Sequence, residues 1–108
     1  MFKIEDNNIF ITRGDSGTST LEITTDTGKP YEIQGDDSIL LTVKKSCDDS
    51  AYLFQKNCVG GKFTISPTDT ESLAFGDYVY DVQLKMVNGW TDTIVPPKLF
   101  RIKKEVTF

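Results

Sequence analysis

Apolar and polar residues alternate with a period of two along most of the chain. The cleanest run is Tyr78 to Met86, where Tyr78, Tyr80, Val82, Leu84 and Met86 share one face and Asp81, Gln83 and Lys85 share the other. A helix would spread those residues around its circumference, so the run predicts a strand. Ile39, Leu41 and Val43 alternate with Leu40, Thr42 and Lys44 in the same way. So do Leu21 and Ile23, Phe63 and Ile65, and Phe100 and Ile102 with their polar neighbours. Ile9 to Arg13, Tyr52 to Lys56 and Trp90 to Val95 are shorter runs, and the total is about eight strands.

Turn residues separate these runs. Asn88-Gly89 between two alternating segments predicts a hairpin with Met86 and Trp90 as paired antiparallel neighbours. Pro96-Pro97 must sit at an edge, a bulge or a sheet switch, because neither residue can donate to a ladder. One segment breaks the β pattern. Ser66 to Leu73 reads as a single helical turn, with Ser66 as N-cap, Pro67 as first helical residue and Asp69 as reciprocal partner in a capping box. Beyond it, Leu73…Gly76-x-Tyr78-x-Tyr80 resembles the tyrosine corner of immunoglobulin-type sandwiches, in which a hydroxyl turns back to the preceding corner. Tyr80 occupies the place of the antibody-domain cysteine, so no inter-sheet disulfide is expected. The pattern predicts an all-β, immunoglobulin-like sandwich of about 7–8 antiparallel strands, with Greek-key connections and one short helical turn.

Length and composition narrow the function. The 108 residues make one domain, spanning 1–108, since two cores would each fall near the limit for unaided folding. The net charge of −4 argues against a partner held by phosphate neutralisation, so no nucleic acid is expected. The absence of histidine removes His-dependent nucleophile systems and His-ligated metals, and no phosphate loop or nucleophile elbow is present. The expectation is a chain that is not an enzyme and takes no cofactor or metal. The N-terminus carries acids where a signal peptide would be apolar, and no run of residues is long enough to span a bilayer, which points to cytoplasmic synthesis and no membrane partner. Cys47 and Cys58 fall at opposite ends of a predicted strand, too far apart to pair, and read as two free thiols.

Four features bear on partners. Arg13-Gly14-Asp15-Ser16 spells an integrin-recognition tetrapeptide, but Gly and Asp are what a turn there requires. Asp36-Asp37 and Asp48-Asp49 lack the spacing of a calcium loop and read as solvated turns. Trp90 either caps one end of the sandwich or, with Tyr31 or Tyr52, offers a stacking surface for a sugar or a protein. Lys98, Arg101, Lys103 and Lys104 make the final strand basic, whereas Asp69, Glu71, Asp77 and Asp81 cluster without a base among them. That asymmetry suits either head-to-tail assembly of copies or protection of an exposed edge strand.

The run Phe10-Ile11-Thr12-Arg13-Gly14-Asp15, followed by Asp26-x-Gly28-Lys29-Pro30-Tyr31, resembles small proteins encoded in phage and prophage structural gene clusters of Gram-positive bacteria. Pro67-x-Asp69-Thr70…Leu73…Gly76-x-Tyr78-x-Tyr80-Asp81-Val82-Gln83 extends the resemblance, as do Thr93-Ile94-Val95-Pro96, Phe100-x-Ile102 and Glu105-Val106-Thr107. The chain is similar to the immunoglobulin-like N-terminal domain of baseplate upper proteins, without their long C-terminal extension. The resemblance implies a non-enzymatic virion structural or accessory protein, a tail, baseplate or neck component. It would pack against copies of itself or neighbouring virion proteins, with Lys98, Arg101, Lys103, Lys104 and Trp90 as the partner-binding residues. The alternative is a carbohydrate- or surface-binding sandwich module using Trp90 and Tyr31.

Overall fold

The structure, a computed structural model, describes residues 1–21, 37–86 and 89–104. Eight strands run in chain order: β1 (Phe2–Glu5), β2 (Asn8–Thr12), β3 (Gly17–Thr20), β4 (Ser38–Lys44), β5 (Phe54–Asn57), β6 (Lys62–Ile65), β7 (Gly76–Lys85) and β8 (Thr91–Lys103). The helical turn α1 (Pro67–Thr70) lies between β6 and β7. One sheet has six strands in the order β1-β2-β8-β7-β4-β5, and the other pairs β3 with β6. The chain is an all-β sandwich.

Period-two alternation explains the packing. Ile9 and Ile11, Ile39, Leu41 and Val43, and Tyr80, Val82 and Leu84 all turn inward to meet Phe63 and Ile65 of the smaller sheet. Phe100 anchors the centre, with Phe54 and Tyr80 packed edge-on at 5.7 and 6.4 Å between ring centroids. Phe2 of β1 lies on Gly17, where even a methyl group would fall 2.2 Å from its ring.

The corner after β6 follows the sequence reading closely. Ser66 is the N-cap, Pro67 opens the helix, and the Ser66 N–H donates to Asp69 Oδ2 at 2.7 Å. The Asp69 carboxylate also meets Lys56 Nζ at 2.6 Å, which ties α1 to β5 of the other sheet. Gly76 takes φ +144°, and the Tyr78 hydroxyl donates to the Ala74 carbonyl at 2.6 Å, closing the tyrosine corner. Tyr80 is buried, and its hydroxyl donates to the Asn7 carbonyl. Cys47 is exposed and Cys58 is buried, both as free thiols. At the hairpin, the Met86 N–H donates to the Trp90 carbonyl at 2.8 Å.

Three expectations need correction. The strands are not all antiparallel, because β2 runs parallel to β8, with Ile9 opposite Phe100 and Thr12 opposite Lys103. Trp90 to Val95 and Phe100 to Lys103 are one strand, not two, and β1 was not anticipated at all. The strand expected at Leu21 and Ile23 starts earlier, as β3 at Gly17–Thr20, and Ile23 lies outside the described residues.

Candidate functional site

Alternation on β1, β2 and β8 sends Phe2, Ile4, Ile9, Ile11, Phe100 and Ile102 inward. The intervening residues must therefore face out. Register then lines up one row across four strands: Lys3 opposite Phe10, Phe10 opposite Arg101, and Arg101 opposite Asp77. The next row places Lys103 opposite Thr12. Three cations converge on one ring as a result. Lys3 Nζ, Arg101 Cζ and Lys103 Nζ stand 5.7, 5.8 and 5.9 Å from the Phe10 centroid.

Counter-charges balance this cluster only in part. Arg101 makes a bidentate pair with Asp77, Nε to Oδ1 at 2.6 Å and an η-nitrogen to Oδ2 at 3.2 Å. Those hydrogen bonds, with the guanidinium charge behind them, hold the Asp77 carboxyl below its ordinary range. Lys3 meets Glu5 at 3.1 Å. Lys103 makes no ion pair among the described residues.

The five residues expected to bind a partner are not all brought together. Arg101 and Lys103 share the outward face. Lys104 stands 5.7 Å over the ring of Phe75, at the corner beside α1. Lys98 is opposite buried Tyr80 in the ladder, on the side of β8 that carries Phe100 and Ile102. Trp90 is 64% exposed at the β7–β8 hairpin. The other end of the same ladder pairs Gly76 with Ile102, so at strand rise Trp90 stands roughly 30 Å from that end.

Lys3 and Phe10 were missed. The signal was the alternation of Phe2-Lys3-Ile4-Glu5, which makes sense only once β1 has a partner strand. The acids are dispersed too: Asp69 is committed to Lys56 and Ser66, Asp77 to Arg101. The final strand is also no edge, since β8 has β2 on one side and β7 on the other. Its lysines therefore do not serve as edge protection.

The Arg13-Gly14-Asp15 turn is tied by hydrogen bonds and an ion pair to its own molecule. Arg13 donates to the Leu73 carbonyl at 3.2 Å, the Gly14 N–H donates to fully buried Thr70 Oγ1 at 2.9 Å, and Asp15 pairs with the terminal amine. Tyr31 and Asp36 lie outside the described residues. Among the described residues, no three His, Cys, Asp or Glu side chains gather to hold a metal, and no helix is long and apolar enough to cross a membrane.

No known protein-family model matches the chain, and a search of curated proteins finds no match.

Proposed function

We propose that the chain is a non-enzymatic structural or accessory component of a phage or prophage virion, working by protein–protein assembly. The virion part of this reading rests on the residue patterns shared with phage structural proteins. The assembly part rests on one observation, the convergence of Lys3, Arg101 and Lys103 on Phe10 across an outward sheet face. A sheet face with a cationic, aromatic centre suits an acidic surface of a neighbouring protein or of a second copy, and the chain's net charge of −4 supplies acids elsewhere.

Absolute mass in solution, measured over a wide concentration range at low and high salt, tests the reading. A closed oligomer that loosens as salt rises, and that Lys103→Glu weakens, is the expected result. A strict monomer at every concentration removes self-assembly as the mechanism.

A second reading, carbohydrate or surface binding through Trp90, is favoured by that residue's 64% exposure. It expects saturable sugar affinity that Trp90→Ala abolishes. A folded protein that binds nothing from a broad glycan panel overturns it.

A further inference from the structure

The outward face of β4, β5 and β7 holds a solvent-open groove of about 300 Å³, and Trp90 is not among its lining residues. Its floor is set by register. Thr42 stands opposite Gln55 on one side and Asp81 on the other, so amide, hydroxyl and carboxylate form a row across three adjacent strands. Gln83 of β7 extends the same lining, and Gln55 Nε2 donates to Thr42 Oγ1 at 3.1 Å, which fixes the amide's orientation.

The wall has a backbone cause. Tyr80 pairs with Lys98 and Val82 with Val95, so the ladder opens opposite Asp81, where Pro96-Pro97 has no N–H to offer. Pro97 lines the groove beside Asp81. Asp81 is half-buried there and makes no ion pair among the described residues. The β4–β5 loop contributes Tyr52 to the rim, with its side chain 55% exposed.

The chemistry of the lining selects a ligand class. Lys44 and Asp81 offset one another, so the groove offers no excess charge to a phosphate or a polyanion. Val79, Tyr80, Pro97 and the rim aromatic give the groove apolar surface beside its polar groups. Among the polar groups, the Gln55 amide, Thr42 hydroxyl and Asp81 carboxylate stand at strand spacings of about 4.8 Å, comparable to the span of a sugar ring, with Gln83 two residues along β7 from Asp81 and Ser50 also in the lining. Amides both donate and accept, and a carboxylate accepts from two neighbouring hydroxyls. An aromatic face covers the C–H side of a pyranose. A volume of about 300 Å³ lies at the small end of ligand sites and suits a short saccharide segment.

We infer that this groove is a binding site for a neutral saccharide, with Gln55, Gln83 and Asp81 contacting hydroxyls and Tyr52 stacking on a ring. The site goes beyond assembly through the Phe10 cluster and differs from one built on Trp90.

The test titrates the 108-residue chain with neutral glucan, mannan, galactan and chitin hexasaccharides, followed by backbone amide NMR and by the alkylation rate of Cys47. That thiol lines the groove, and buried Cys58 reports any unfolding by becoming reactive. At least one hexasaccharide is expected to give saturable shifts centred on Thr42, Gln55 and Gln83 and to slow Cys47 alkylation. Tyr52→Ala and Gln83→Ala should each weaken it about tenfold, with Trp90→Ala unchanged. No saturable shift from any of the four, shifts centred on Trp90, or affinity that survives both groove variants overturns the proposal. Solution mass measured on the same variants shows separately whether assembly has changed.

Discussion

The Tyr78 hydroxyl reaches back four residues to the Ala74 carbonyl, and this one bond fixes how the chain leaves α1 and enters β7. Tyr78→Phe keeps the ring and removes only the donor. The expected loss is about 1 kcal/mol, measured by urea denaturation, with the fold retained. A change below the precision of the measurement would mean that the ring alone sets the corner.

Gly17 and Phe2 form a second close relationship. A methyl group at Gly17 would sit inside the van der Waals envelope of the Phe2 ring. Gly17→Ala should cost about 1–3 kcal/mol, because the ring must leave its seat. Combining it with Phe2→Ala should cost less than the sum of the single changes, since the clash is then gone.

Asp69 acts on both sides of the sandwich, accepting from the Ser66 N–H and pairing with Lys56 while mostly shielded from water. Asp69→Ala should lose about 1–3 kcal/mol. A double-mutant cycle with Lys56→Ala separates the ion pair from the cap: coupling near zero would assign the whole effect to the cap.

Two buried groups predict how stability depends on alkali. Desolvation pushes the Cys58 thiol up from 9.0 to about 11 and the Tyr80 phenol up from 10.0 to about 12. Both groups are neutral when protonated, so the unfolded chain ionises first. The stability they contribute is complete below about pH 9 and declines as pH rises through the two windows, about 9 to 11 and about 10 to 12. Urea midpoints should fall steadily above about pH 9, and Cys58→Ala should remove the earlier part of that fall. In native protein at neutral pH, an alkylating reagent should modify exposed Cys47 and spare Cys58 until the chain unfolds.

The sequence was legible wherever structure is local. The cap at Ser66, the corner at Tyr78 and the hairpin contact between Met86 and Trp90 each depend on residues a few positions apart. The final strand was misread for a physical reason. Buried Val95 is odd-numbered and buried Phe100 and Ile102 are even, because β8 carries extra residues against β7 near Pro96-Pro97. A bulge reverses which parity faces inward, so one strand looks like two. The Phe10 cluster was illegible for a different reason. Phe10 and Arg101 are far apart in sequence, and only the parallel register of β2 on β8 joins them. Alternation says which residues share a side of a strand, and nothing in it says which strand lies alongside.

The parallel pairing of β2 with β8 also bears on the order of events during synthesis. Residues 9–11 pair with residues 2–4 in the β1–β2 hairpin, but that hairpin joins the rest of the large sheet only against residues 100–103. On a ribosome, the β1–β2 hairpin must wait for its parallel neighbour until β8 has emerged from the exit tunnel. The large sheet therefore closes after translation of residue 103, although β2 is made well before β8. With so many pairings distant in sequence, folding belongs in the slow, millisecond-to-second range typical of non-local β topologies. Throughout that wait, the apolar side of Ile9 and Ile11 is what a chaperone, or another nascent chain, would meet first.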